Sequence, residues 1–212
     1  MSLKTKYPYF DSLEILLEND FVFKPYKPLS PVKAGNFIPD FSFSKDFGRW
    51  QQYTNGADSH GLIPFSKLKS KPVVIAFYSQ HWGQHGIKQL LSLNELQHEV
   101  KATGGQLIVI SPQKETLLNK LAWEHNLSLT FYFDLNNEIA KQFRVYDEAS
   151  PVWNRFSGVD ENVPLLATYV LNASKNILYD HIDYDFESPF AADDILTAVY
   201  EAAHYVSDRK SA

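Results

Sequence analysis

The chain of 212 residues contains no cysteine. This absence excludes disulfide bonds, thiolate metal sites and thiol-based catalysis within the chain. The only methionine is Met1, so no thioether near a possible site can replace a thiol in reversible oxidation. Whatever the protein does, its sequence supplies no sulfur chemistry for it.

Long apolar runs and basic runs are also absent. No apolar stretch reaches the roughly 18 residues of a membrane-spanning helix, and Lys4 and Lys6 are not followed by the apolar segment of a signal peptide. The formal charge is −5, and no more than two basic residues occur in a row, which argues against a nucleic-acid surface. We therefore expect a cytoplasmic protein that spans no membrane and binds no nucleic acid.

The composition present is that of a globular protein. Hydrophobic residues make up 44%, charged residues 21% and aromatic residues 15% of the chain. The length suits one domain, which we place at residues 35–212, after an N-terminal arm at residues 1–34 that packs on it. Pro25, Pro28 and Pro31 predict an extended path for this arm. The expected anchors are its aromatic residues Tyr7, Tyr9, Phe10, Phe21, Phe23 and Tyr26.

The most informative stretch begins at Pro72. Residues 72–78 form a short apolar run that is typical of a strand buried on both faces of a mostly parallel sheet, and we predict it to be the central strand. A polar, glycine-containing turn follows at residues 79–86, and then a largely buried helix from Ile87 to about Thr103. The helix N-terminus would point its amides at whatever binds beyond the strand.

Strands and helices alternate in the rest of the chain. The Asn55-Gly56 pair predicts a β-hairpin within residues 41–70. Ser111 and Asn136 are the expected N-caps of two further helices, and Pro189 the first residue of the last one. Residues 144–164 predict a long loop. We predict further strands at residues 106–110, 130–134, 167–171 and 177–183, the last two joined as a second hairpin.

Five segments resemble, in the right order, the motifs of one family. Phe77-Tyr78, followed by Trp82 and a helix, is similar to the active-site segment of peroxiredoxin-like proteins of the alkyl hydroperoxide reductase and thiol-specific antioxidant (AhpC/TSA) family. The resemblance implies an α/β fold, a thioredoxin-like three-layer α/β/α sandwich with a mixed central sheet. The other matching segments are residues 35–41, 107–113, 132–143 and 163–171.

The chain departs from this family at its reactive positions. In the family a Trp-Cys-x-x-Cys sequence opens the helix, and here the two cysteine positions fall on Gly83 and Gly86. Leu166 stands where thioredoxin folds keep a cis-proline, so we expect a trans peptide bond before it. The family implies thiol peroxidase or thiol-disulfide oxidoreductase activity, but no nucleophile is left to perform it.

We therefore predict a redox-inactive family member with no cofactor. It would bind a protein or a small anionic ligand at the former active-site cleft. No catalytic residue is assigned, and whether the protein is an enzyme at all is left open. The candidate ligand-binding residues are His81, Trp82, Gly83, Gln84, His85 and Leu166. Trp50, Trp153 and Phe156 could wall a pocket there, although ordinary core packing is the simpler expectation.

Three alternatives stay open. The first is the antioxidant or oxidoreductase activity of the family. The second is a metal-assisted enzyme built on His81 and His85, with His60 or His125 as a third ligand, although their turn position favours polar loop residues without a metal. The third is a structural homodimer, since family members often pair through sheet edges or through helices around the site.

Overall fold

The computed structural model describes residues 28–38, 50–59, 71–134, 136–152, 156, 158–184, 186 and 189–210. The predicted arm at residues 1–34 therefore lies outside the described residues except for its end. That end packs on the domain, because Val32 N donates a hydrogen bond to Phe143 O (3.1 Å) and Lys33 forms an ion pair with Asp180 (2.9 Å). Leu29 also packs against the core.

A seven-stranded mixed sheet forms the centre of the molecule, in the order β2-β1-β5-β4-β3-β6-β7. Strands β3, β4 and β5 are parallel to one another, and the other pairs are antiparallel. The strands are β1 Trp50–Thr54, β2 Ala57–Ser59, β3 Val73–Phe77, β4 Gln106–Ser111, β5 Thr130–Phe133, β6 Ala167–Leu171 and β7 Ile177–Ile182.

Strand β3 is buried along its whole length, as its apolar sequence predicts. Its side chains alternate between the two faces of the sheet, so that Ile75 and Phe77 enter one core cluster while Val74 and Ala76 enter the other. β3 lies inside the sheet between β4 and β6, although the middle strand of the seven is β4. The strand that leads into the candidate site is therefore held by neighbours on both edges and both faces.

Helices cover both faces of this sheet. They are α1 Gly83–Ala102, α2 Glu115–Glu124, α3 Glu138–Gln142 and α4 Ala192–Lys210. Right-handed crossovers from β3 to β4 and from β4 to β5 place α1 and α2 on the same face, where α4 joins them. The short α3 lies on the opposite face. This is the predicted α/β/α sandwich with a mixed central sheet. None of the described helices is long and apolar enough to cross a membrane.

Two helices begin at other residues than predicted. Ser111 is the last residue of β4 rather than an N-cap, because it pairs with Phe133 and its carbonyl accepts the Asp134 amide (2.8 Å). Asn136 is not the cap of α3 either. The Asp134 carboxylate takes that role by accepting hydrogen bonds from the amides of residues 138, 139 and 140 at 2.8–3.0 Å.

The two long helices are also displaced from their predicted starts. A 3₁₀ turn, Gln80–Trp82, follows β3 and leads directly into α1, which therefore begins at Gly83 instead of Ile87. Six of the 20 residues of α1 are buried and Leu91 is exposed, so the expectation of a largely buried helix is wrong. Pro189 precedes α4, whose first turn holds the acidic residues Asp193 and Asp194.

The predicted hairpins are confirmed. Asn55 and Gly56 connect β1 to β2 with positive φ angles of 49° and 80°, as a tight turn of the I′ kind requires. β6 and β7 form the second hairpin. The described residues of 144–164 contain no α-helix or strand, in agreement with the predicted loop.

Candidate functional site

The candidate site is the turn of residues 79–86, which joins the carboxyl end of β3 to α1. Ser79 starts the turn, and its hydroxyl accepts a hydrogen bond from the His81 amide (3.3 Å). No side chain caps α1, whose N-cap is Trp82, and no acidic residue lies in its first turn. The Gly83 amide donates a hydrogen bond to the Gln80 carbonyl. Among the described residues no side chain caps the first amides of this 20-residue helix, which lie at the positive end of the helix dipole.

Gly83 is the exposed corner of this turn. Its backbone has a φ angle of 53° and a ψ angle of −129°, a conformation that residues with a Cβ atom rarely adopt. A Cβ built at Gly83 would have no heavy atom within 4 Å, so the surrounding space is open. Gln84 and His85 beside it are also exposed. The first of the two predicted cysteine positions thus lies on the protein surface.

Gly86, the second of these positions, is buried and closed. A Cβ built there would lie 2.9 Å from Cε2 of Tyr78, 3.2 Å from Cβ of Trp82 and 3.3 Å from the Ser79 carbonyl oxygen. Real Cβ atoms essentially never approach another heavy atom to 2.9 Å. The ring of Tyr78 therefore occupies the space that a side chain at residue 86 would need.

Trp82 is a core residue and not a ligand-facing one. Only 3% of it is exposed, and its indole Nε1 donates a hydrogen bond to the Pro164 carbonyl (2.8 Å). The indole packs edge-on against Phe156 (5.0 Å between ring centroids, 85°) and lies 5.5 Å from the Phe186 ring. Phe156 thus packs in the core. The other two residues suggested as a pocket wall, Trp153 and the side chain of Trp50, lie outside what the structure describes.

The two histidines of the turn have different neighbours. His81 Nε2 lies 3.2 Å from a Glu161 oxygen, and Nδ1 lies 3.8 Å from an Asp160 oxygen. His85 instead stacks on the Phe186 ring at 4.3 Å. Across the described part of the chain, no three His, Asp or Glu side chains are arranged to hold a metal ion. His60 falls outside that part.

Leu166 lies in the core below the turn. Only 1% of it is exposed, so it offers almost no surface to a ligand. No cis peptide bond occurs among the described residues, which agrees with the trans bond expected between Leu165 and Leu166. Of the six candidate ligand-binding residues, the structure therefore brings His81, Gly83, Gln84 and His85 to the accessible side of the turn.

A buried polar network ties the turn to the next strand. Gln113 accepts hydrogen bonds from the Ser111 hydroxyl (2.7 Å) and the Gln80 amide (3.3 Å), and it donates one to the Ser79 hydroxyl (3.2 Å). The sequence prediction missed this network. The network could have been found from the sequence, because Ser79 and Ser111 both follow buried apolar segments whose strand ends meet at one edge of the sheet.

Tyr78 also lines a cavity of about 180 Å³ beneath α2. The residue is 2% exposed, and among the described residues its hydroxyl has no hydrogen-bond partner. Burial raises the pKa of this phenol to about 12, so the hydroxyl keeps its proton at neutral pH. Gln80, Gln113 and Leu117 lie along the same cavity.

Comparison with known proteins identifies relatives over most of the chain. Residues 34–180 match the AhpC/TSA family. Peroxiredoxin Bcp of Escherichia coli (strain K12) is 24% identical over 175 residues, which are 82% of this chain and 100% of that protein. Among solved structures, Enterococcus faecalis AhpC (16% identity, TM-score 0.57) matches 86% of this chain and 96% of its own. The reduced 2-Cys peroxiredoxin of Plasmodium vivax (16% identity, TM-score 0.58) matches 84% and 85%.

Proposed function

The chain belongs to the AhpC/TSA family, and we propose that it is a cytoplasmic member of this family that has no thiol redox activity and binds an anionic group at the carboxyl end of β3. The group belongs to a small ligand or to an acidic segment of a partner protein. Relatives named as peroxiredoxins imply peroxide reduction, but a chain without cysteine has no thiolate for that reaction.

The closed position at Gly86 carries this proposal. Simple loss of a reactive side chain would leave an open space of its size, whereas the Tyr78 ring and the Ser79 carbonyl fill this one. The packing around residue 86 suits a protein that no longer needs a reactive atom there. It supports a binding role, since the surface of the turn remains accessible at Gly83, Gln84 and His85.

The charge and backbone of the turn support an anion as the bound group. The first turn of α1 has no side-chain cap and no acidic residue, and glycine at residue 83 leaves its approach open. Lys88 lies exposed one turn further along the helix. Opposing this, Asp160 and Glu161 are exposed beside His81. We therefore place the anion over Gly83 and Gln84, on the side away from these two carboxylates.

Peroxide turnover tests the absence of redox activity. Purified protein with hydrogen peroxide and either thioredoxin or a dithiol as reductant should consume peroxide no faster than the heat-treated protein. Turnover above that control would contradict this half of the proposal.

The oligomeric state and the arm at residues 1–34 remain predictions. Light scattering measures the oligomeric state.

A single introduced cysteine tests the anion site. In Gly83→Cys the thiol lies at the positive end of α1, where a helix-end interaction of roughly 0.3–2 kcal/mol lowers its pKa below the usual value of about 8.5. At about 1.36 kcal/mol per pKa unit, the drop should be a few tenths to about one and a half units. Thiolate absorbance against pH measures it, because the chain has no other cysteine.

Glu95→Cys is the matched control. Glu95 is exposed in the middle of α1, away from the positive end of the helix. Its thiol should titrate near the unperturbed value. If the two thiols have the same pKa, or the one at residue 83 has the higher pKa, then the turn does not favour negative charge, and the anion part of the proposal is wrong.

A further inference from the structure

A cavity of about 570 Å³ lies between residues 28–30 and the segment that follows α3. None of its lining residues belongs to the turn at residues 79–86. Its volume is within the range of small-molecule sites, roughly 300–1,000 Å³. Pro28 and Leu29 form an apolar part of its wall, and Leu29 packs on the core behind it. The cavity is therefore a candidate site separate from the turn, and its apolar wall is held in place by the core.

Arg144 is held beside this cavity by the end of α3. Its amide donates to the Lys141 carbonyl (3.0 Å), and the next amide, that of Val145, donates to the Ala140 carbonyl (3.0 Å). These two bonds form a Schellman motif, in which the residue at the position of Arg144 is usually glycine. Arg144 has the left-handed φ of 55° that the motif requires. Arginine thus occupies a position where the backbone favours glycine.

The Arg144 side chain has no partner among the described residues. It is exposed, and within the described ranges it forms no ion pair and no side-chain hydrogen bond. Lys141, the other cation at the cavity, is already bound to Glu148 (2.8 Å) and lies 5.8 Å from the Tyr146 ring centroid. Arg144 is therefore the positive group available to a ligand, and its planar guanidinium suits carboxylate or phosphate oxygens.

Two hydroxyl groups on the cavity wall also lack a partner among the described residues. Ser150 is 2% exposed, Tyr146 is half-buried, and neither hydroxyl has a hydrogen-bond partner in the described part of the chain. Both can donate to a ligand oxygen. Asp147 is the opposing group: one of its oxygens accepts the Ala149 amide (2.8 Å), and its charge is not paired with a cation of the described residues. The free groups are mainly donors, and this favours a ligand rich in acceptor oxygens.

We propose that this cavity binds a small organic oxyanion. Its carboxylate or phosphate oxygens accept hydrogen bonds from Arg144, Tyr146 and Ser150, while its apolar body lies against Pro28 and Leu29. The site is independent of the proposed function at the turn of residues 79–86, since the two share no residue.

Binding is measured by isothermal titration and by NMR shifts of the amides at residues 141–150. Phenyl phosphate and 3-phenylpropanoate are the probes, and inorganic phosphate and acetate are their counterparts without an apolar body. At least one aromatic probe should bind about fivefold or more tighter than its counterpart, because only the probe covers the apolar wall. The aromatic probe that binds more tightly shows whether the site prefers a phosphate or a carboxylate. Equal binding of probe and counterpart, or no binding of either probe, overturns the proposal.

Arg144→Gly separates binding from folding. Glycine suits the backbone at residue 144, so the variant should be at least as stable as the parent protein, while its affinity for the tighter probe should fall about tenfold or more. Lys175→Gly is the matched control: it also removes a cation at a positive φ (67°), but outside the cavity. Its affinity should stay unchanged. Retained binding in Arg144→Gly, or an equal loss in both variants, overturns the proposal.

Asp147→Asn provides a second test with the opposite sign. Asparagine can still accept the Ala149 amide, but it removes a negative charge from the cavity wall. Affinity for the oxyanion probe should rise by about twofold or more, as expected when a nearby like charge is removed. A fall in affinity would mean that Asp147 binds the ligand as an acceptor, and the ligand would then not be a simple oxyanion.

Discussion

Gly86→Ala tests whether the Tyr78 ring closes the space at residue 86. In a helix interior, alanine is favoured over glycine by at most about 1 kcal/mol. Here the added Cβ would lie 2.9 Å from the Tyr78 ring and 3.3 Å from a backbone oxygen, and overpacking of this kind costs about 1–3 kcal/mol. The overpacking term is larger, so the variant should be less stable than the parent protein by up to about 2 kcal/mol.

The ring itself is tested by a double-mutant cycle. Tyr78→Leu removes the ring atom that the new Cβ would contact, so in this background the cost of Gly86→Ala should fall and can become a gain of up to about 1 kcal/mol. Gly83→Ala is the control. Its Cβ would have no heavy atom within 4 Å, and its cost of about 1–3 kcal/mol comes from the positive φ alone. That cost should be equal in both backgrounds.

Urea unfolding followed by far-ultraviolet circular dichroism measures all of these free energies of unfolding. The reasoning is refuted if Gly86→Ala stabilises the parent protein, or if its cost is unchanged by Tyr78→Leu. Either result would show that the space at residue 86 is open. The proposed function would then lose the observation that carries it.

Three further predictions concern buried polar groups. Burial raises the pKa of Asp134 above its ordinary 3.8. Protonated Asp134 therefore stabilises the fold fully below pH 3.8, and this stabilisation is lost as the pH rises through the pKa of the folded state. In unfolding experiments Asp134→Asn should gain stability relative to the parent protein from about pH 4 upward, and a pH-independent difference would contradict this. Gln113→Ala should cost about 1–3 kcal/mol in urea unfolding and speed hydrogen exchange at the Gln80 amide, because Ser79 and Ser111 lose their shared partner; unchanged exchange would show that the network does not hold the turn. Tyr78→Phe removes this phenol, so the alkaline absorbance difference from the parent protein should have its midpoint near pH 12; a midpoint near pH 10, the ordinary value, would place the hydroxyl in solvent.

Local patterns in the sequence account for most of the architecture. Strand β3 is a continuous apolar run, and such a run is stable as a strand only when both of its faces are covered. Asn55-Gly56 takes the positive φ angles that a tight hairpin needs. Both features are patterns of adjacent residues, so they can be recognised without knowledge of the fold. The absence of cysteine is likewise a property of the sequence alone.

Helix starts were predicted less well because their caps come from neighbouring elements. The carboxylate that caps α3 belongs to Asp134, at the end of β5, and three amides converge on it. Ser111 looked like an N-cap, yet pairing with Phe133 keeps it in the sheet. In both places a contact formed by folding outweighs the local preference of a residue.

The character of the candidate site was decided by tertiary structure. The sequence places Trp82 and His85 in one turn, but packing buries the indole against Phe156 while His85 stays exposed over Phe186. Whether Gly86 leaves a gap depends on the position of the Tyr78 ring, which lies eight residues earlier in the chain, just after β3. Such contacts depend on how side chains fill a shared space, and the order of residues alone does not specify that filling.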